Sequence, residues 1–185
     1  RPGMRVLDLG TGTGALLIAL DQVCPGLTEV TGIELNPRVA DQARRNMTLS
    51  GLDNAQVIVG DIREVHPKPR YDLVIANPPF YPPGWGRLSE DATKASATHA
   101  LNGDVGDFAS AAAAFTLPHG EITFVFDGGR CRDVLLAMGS AGLTVKAIRF
   151  LDDDRGQAAR VLVRATKGGA GARVDRAALK PSPTL

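Results

Sequence analysis

The sequence predicts an α/β protein built on a doubly wound, mostly parallel sheet, and three observations carry that expectation. Short apolar runs alternate with helical stretches along the first two thirds of the chain, the order of a parallel sheet covered on both faces. The early runs close on Gly10, Glu34, Asp61 and Asn77, residues that would gather at one edge of such a sheet. Near the end, two β-rich runs are joined by Asp152-Asp153-Asp154-Arg155-Gly156, a tight polar turn suited to an antiparallel pair.

Taken in order, Val6-Leu7-Asp8-Leu9 reads as the first strand, and Gly10-Thr11-Gly12-Thr13-Gly14 turns it into a helix from Ala15 to Val23. Glu29 to Glu34 is a second strand. The next helix runs from Pro37, a residue suited to a first helical turn, to Leu49, and Gly51 ends it in the left-handed position. Gln56-Val57-Ile58-Val59 and Tyr71 to Ala76 are the third and fourth strands. Residues 82–103 lack periodicity, and a loop of that length in a compact domain is more often functional than idle. Phe108 to Phe115 is an alanine-rich helix, His119 reads as a turn residue before Gly120, and Ile122 to Phe126 is a fifth strand. A helix from Arg132 to Ala141 and strands Leu143 to Phe150 and Ala159 to Ala165 complete the set. The expected fold is thus Rossmann-like: seven strands, mostly parallel, the last antiparallel, in one domain over residues 1–167. Residues 168–185, rich in glycine, alanine, arginine and proline, read as a mobile tail.

With 185 residues, 44% hydrophobic and 22% charged, the chain has enough apolar material for one core. No apolar run approaches the length of a membrane span and no signal-like segment opens the chain, so a soluble, cytoplasmic protein is expected. Cys24 and Cys131 lie far apart without metal-ligand spacing, and no metal is expected. A net charge of +1 is not that of a nonspecific nucleic-acid binder; any RNA contact has to rest on local charge. The start at Arg1-Pro2-Gly3, almost on the first strand, leads us to expect a preceding segment.

Two motifs carry chemistry. Three glycines spaced by threonines let a ligand approach the backbone and leave helix N-terminal donors facing it. Gly10-x-Gly12-x-x-Ala15 with Glu34 about 20 residues on formally matches a dinucleotide fingerprint, which keeps a nicotinamide enzyme as a rival. Asp8 weighs against it, because a carboxylate two residues before the first glycine repels a pyrophosphate and attracts a cation. A Walker loop is excluded, since no Gly-Lys-Ser/Thr follows. The second motif is Asn77-Pro78-Pro79-Phe80. Its prolines stiffen the turn and remove donors, so an amide, fixed carbonyls and a ring suit a planar amino group; the bland reading is a strand end with Phe80 capping the core.

Together, Val6 to Gly14, Glu34, Asp61 and Asn77-Pro78-Pro79-Phe80 resemble the class I S-adenosylmethionine-dependent methyltransferases that modify amino groups, over about Arg5 to Ala165. The resemblance implies S-adenosyl-L-methionine as cofactor. Asp8 and the glycine loop (Gly10, Thr11, Gly12, Gly14) would border its methionine part, Glu34 would bind its ribose hydroxyls and Asp61 would accept from its adenine amino group, with Leu35, Ile62 and Asn77 also in the cofactor site. Asn77, Pro78, Pro79 and Phe80 would be the catalytic turn. Residues Asn77 to Tyr81, Gly84 to Arg87, Ser89, Asp91, Lys94, Ala97, His99 and Arg160 to Gly168 are further similar to the bacterial tRNA adenine-N6 methyltransferases, which modify adenine 37 of a valine tRNA. That implies an RNA partner, with Phe80, Tyr81, Arg87 and His99 on the substrate and Arg87, Lys94, Arg164 and Lys167 as phosphate contacts. A ribosomal-RNA guanine-N2 enzyme, a release-factor glutamine enzyme and a non-catalytic cofactor-binding module remain alternatives.

Overall fold

The first strand, β1 (Arg5–Leu9), is where the sheet is most deeply buried: Val6, Leu7, Asp8 and Leu9 are all shielded from solvent. It pairs in parallel with β2 (Glu29–Glu34) on one side and β4 (Tyr71–Ala76) on the other. In this computed structural model, which describes residues 2–66, 71–78, 103–169 and 172–178, β3 (Ala55–Val59) follows β2 at the edge, and β5 (Thr116–Asp127) follows β4. The chain therefore turns one way after β1 and the other way at β4. That reversal opens a crevice beyond the strand ends between β1 and β4, the usual ligand position in a doubly wound sheet.

The helices cover the sheet as the apolar periodicity dictates. On one face α1 (Ala15–Val23) and α2 (Pro37–Leu49) contribute Leu17, Ala40, Ala43 and Met47, which meet Val6, Val30 and Val57. Asn36 caps α2 by accepting from Arg38 N at 3.0 Å, and Pro37 occupies the first turn, where its missing N–H costs nothing. On the other face α3 (Val105–Phe115) and α4 (Cys131–Ser140) bury Phe108, Phe115, Val134 and Met138 against Leu7, Leu9, Ile122, Phe124 and Val163. A reciprocal capping box of Asp104 and Asp107 starts α3, so its entry beside the crevice is fixed.

The antiparallel element is β7 (Ala158–Thr166), which lies between β5 and β6 (Thr144–Asp152) and runs against both. The seven expected strands are present, and an eighth joins them. Arg173–Ala178 forms β8, parallel to β6, inside the stretch that reads as a mobile tail; the full order is β3-β2-β1-β4-β5-β7-β6-β8. Its support is electrostatic, which an apolar pattern does not reveal. Arg149 donates to both oxygens of Asp175 at 2.8 and 2.9 Å, and Arg176 donates to Asp152 at 2.9 Å while lying over the Phe150 ring. Two further differences concern β5 and the layers. The strand begins directly at Thr116, so His119 is an exposed residue in its irregular first part, where the register against β4 shifts. The described helices also leave one face of β5, β7, β6 and β8 without a covering layer. Among the described residues no helix is long and apolar enough to cross a membrane.

Candidate cofactor and substrate site

The glycine turn closes on itself and on β2. Gly10, Gly12 and Gly14 have φ of 68°, 56° and 85°, left-handed values that residues with a Cβ rarely adopt. Thr11 N donates to the Ile33 carbonyl at 2.9 Å, and Gly14 N donates to the Thr11 carbonyl at 2.9 Å. Gly32, beside the turn on β2, has to be a glycine for a different reason: a Cβ there would lie 2.6 Å from Thr11 Cγ2. Thr11 is thereby pressed into place, and its hydroxyl donates to Asp8 Oδ2 at 2.8 Å.

Asp8 is only 1% exposed, and its second oxygen, Oδ1, is buried with no partner among the described residues. Burial pushes the carboxyl up to about 7; the Thr11 bond works against that rise, and the nearby Glu34 charge adds a little to it. A buried unpaired carboxylate oxygen costs about 1–3 kcal/mol or more, so native folds keep one where a ligand completes it. In its ionised form the oxygen would be completed by a cation with N–H donors, which the ammonium end of S-adenosylmethionine would supply and a phosphate would not.

Glu34 ends β2, half-buried. Its Oε2 accepts from Gly12 N at 3.0 Å and its Oε1 from Asn36 N at 2.9 Å, so the carboxylate ties the glycine turn to the start of α2. Each oxygen keeps lone pairs free, enough to accept from two vicinal hydroxyls. Leu35 follows, half-buried. Asp61 lies just past β3 and its carboxyl is lowered from the ordinary carboxylate value, chiefly by side-chain bonds from Arg63; the Arg63 Nε lies 2.9 Å from Oδ1. Arg63 N donates to the same oxygen at 2.9 Å, and Ile62 beside it is buried in the core. An adenine amino group directed at Asp61 would therefore share it with a guanidinium. Sequence reasoning passed over Arg63, although the Asp-x-Arg spacing is its signal.

The described part of the amide corner, Asn77 and Pro78, lies beside the glycine turn. Ala76 pairs with Leu9, so Asn77 and Gly10 leave the sheet side by side, Asn77 exposed and Pro78 buried. Phe108 from α3 closes the gap from the opposite face, with its Cε1 3.2 Å from the place a Cβ on Gly10 would occupy. An alanine-rich helix gave no hint of that contact; only the pairing of β1 with β4, and of β4 with β5, brings it there. The structure thus gathers Asp8, Gly10, Thr11, Gly12, Gly14, Glu34, Asp61, Ile62 and Asn77 along one edge. Pro79, Phe80, Tyr81, Arg87, Lys94 and His99 lie outside the described residues. Lys167 does not join the edge, because its Nζ donates to the Thr116 carbonyl at 2.6 Å, level with Tyr71 at the start of β4.

A glycine turn with a buried acid, a carboxylate on the next strand and an amide corner at the switch point define a class I, S-adenosylmethionine-dependent methyltransferase. The chain belongs to the methyltransferase domain family, whose model matches residues 1–111. It is similar to the tRNA1(Val) (adenine(37)-N6)-methyltransferase of Aeromonas hydrophila, 27% identical over 165 residues, covering 89% of this chain and 69% of that one. It is also similar to the release factor glutamine methyltransferase of Deinococcus radiodurans, 42% identical over 78 residues, covering 42% and 27% of the two chains. The chain spans about two thirds or less of the length of these curated relatives. Among solved structures, a magnesium protoporphyrin IX methyltransferase from Synechocystis, with SAM bound in that protein, superposes with a TM-score of 0.62 at 18% identity. That match covers 90% of this chain and 71% of the other, and shows the shared fold.

Proposed function

We propose that this protein methylates the exocyclic N6 of an adenine in tRNA, of the kind beside the anticodon of a valine tRNA, with S-adenosylmethionine as donor. The observation that carries the reading is the adjacency of Asn77 to the glycine turn, together with the buried Asp8 oxygen that has no partner among the described residues. When bound, the donor supplies an electrophilic methyl on a positively charged sulfur. Asp8 and the turn backbone would hold its ammonium end, Glu34 would accept from its ribose hydroxyls, and Ile62 and Asp61 would lie by its adenine.

The residues of the corner do the rest. A purine amino group is a weak nucleophile because its lone pair is spread into the ring. Asn77 Oδ1 and the Pro78 carbonyl accept its two N–H bonds and draw the nitrogen toward a tetrahedral shape, which localises the lone pair. Pro78 and Pro79 contribute no N–H that would compete. The acceleration comes from positioning and from fixed dipoles rather than from a strong base. Reaching the base requires a splayed-out nucleotide, which an anticodon loop provides.

Incubation with tritiated S-adenosylmethionine and either total tRNA or release factor tests the proposal, followed by mass spectrometry of the nucleosides. N6-methyladenosine in tRNA is expected. The second reading, a release-factor glutamine enzyme, is favoured by the 42% identical stretch and by the fit of the same corner to a planar amide. Label confined to protein would establish it and overturn ours.

A further inference from the structure

The face of β5, β7, β6 and β8 that the described helices do not cover carries a row of side chains set by the strand register. Thr123 pairs with Arg164, Arg164 with Ala147, and Ala147 with Arg173, so these residues cross four strands on one face. The next row is Val125, Leu162, Arg149 and Asp175. With the short Ala147 and Leu162 between them, the three arginines rim a hollow of about 320 Å³.

The charges around that hollow do not balance. Arg149 is held rigid by Asp175 through Nε and Nη2, which leaves its Nη1 donors unspent. Arg164 lies 3.9 Å from Glu121, too long for a hydrogen bond, and the two side chains are about half exposed. Arg173 is close enough to Asp175 for its charge to help hold that carboxyl down, and it adds a third guanidinium to the lining. Three guanidinium groups thus line the hollow with one carboxylate, in a chain whose total charge is only +1. Positive charge collected at one place on a nearly neutral surface, with planar donor forks and a threonine hydroxyl beside them, is the chemistry that binds phosphodiester oxygens. The position is also apt. Thr123 is level with Ile75, two residues before Asn77, and Arg164 stands two strands from β4, about 10 Å away.

We infer that this arginine-rimmed hollow binds backbone phosphates of the RNA substrate flanking the nucleotide presented to Asn77. The inference rests on the RNA reading above and adds to it a docking surface on the body of the sheet, apart from the strand ends where the cofactor residues gather. Contacts of this kind fix register and orientation without reading sequence.

The test uses Arg164→Gln, Arg173→Gln and the double variant of the chain, with Arg132→Gln on exposed α4 as a control on the opposite face. Binding of a fluorescent anticodon stem-loop RNA is followed by anisotropy from 50 to 300 mM KCl, alongside S-adenosylmethionine affinity by calorimetry and thermal unfolding. The double variant is expected to bind the RNA about tenfold more weakly at 0.1 M salt, and the slope of log K against log salt is expected to fall by about 1.4. Cofactor affinity, melting temperature and the Arg132→Gln curve should match wild type. An unchanged salt slope while the wild-type chain binds and methylates RNA overturns the hollow as a phosphate site and leaves the RNA reading standing. Absence of RNA binding by the wild-type chain overturns both. Weakened methylation of release factor, with RNA unaffected, gives the surface to a protein partner and overturns the inference.

Discussion

Asp8→Asn should make the protein more stable and worse at its task. In the folded chain the carboxyl titrates at about 7 rather than the ordinary 3.8, raised by burial. Below 3.8 the folded and unfolded chains both hold the proton, so burial carries no penalty there. As pH rises from 3.8 to 7 the unfolded chain ionises first and the penalty grows; above 7 it is constant, at about 4 kcal/mol. Asparagine removes that penalty. Its carbonyl still accepts from Thr11, but its NH2 takes the place of the unpartnered oxygen and costs about 1–3 kcal/mol. The net gain above pH 7 is then about 1–3 kcal/mol, or roughly 2–12 °C in melting temperature for a domain of this size. Toward pH 4 only the cost of the amide remains, and the order of the two proteins should reverse. Differential scanning fluorimetry from pH 4 to 8 gives the curves, and calorimetry with S-adenosylmethionine gives the affinity. Loss of the anionic partner should weaken cofactor binding at least tenfold at pH 7.5, and wild-type affinity should itself rise roughly eightfold from pH 6 to 7.5. Parallel melting curves across the whole range, or equal cofactor affinity in the two proteins, would refute the reasoning.

Asn77→Ala is expected to leave cofactor affinity within about twofold while turnover falls at least about 100-fold, the usual cost of one preorganised polar contact to the reacting group; equal loss of binding would move Asn77 out of the substrate's reach. Glu34→Ala strips Gly12 N and Asn36 N of their acceptor, so cofactor affinity should fall more than about tenfold and stability by about 1–2 kcal/mol, read by calorimetry and urea titration. Gly32→Ala drives a methyl against Thr11 Cγ2 and should cost about 1–3 kcal/mol while loosening the Asp8 contact. A Gly32→Ala chain as stable as wild type would show that the turn yields without cost.

Much of the architecture was legible because each early strand announces itself twice, by an apolar run and by the polar residue that ends it. Val6 to Leu9 with Gly10, and Tyr71 to Ala76 with Asn77, needed nothing more. What escaped depends on contacts between distant segments. Nothing local links Glu34 to Gly12, Thr11 to Gly32 or Phe108 to Gly10; these pairs meet only because β1 lies between β2 and β4. The eighth strand escaped for another reason. Its sequence is Arg-Val-Asp-Arg-Ala-Ala, with Val174 as its one large apolar residue, poor in the apolar alternation that marks a strand, and Arg149–Asp175 and Arg176–Asp152 tie it across to β6.

Asp8 shows why the legible parts were also the functional ones. A strand buried on both faces is best served by an apolar residue at every position, and β1 obeys that rule at Val6, Leu7 and Leu9. A carboxylate at the one remaining inner position, half satisfied by Thr11 and otherwise unpaired, is a local error that a stability argument alone would correct. Its retention makes sense if the missing partner arrives with the ligand. The cation then neutralises the charge and satisfies the orphaned oxygen, so part of the free energy withheld on folding is recovered on binding. On that argument the cofactor should raise the melting temperature of wild type more than that of Asp8→Asn, by a margin that grows as pH climbs through 7 and the carboxylate ionises.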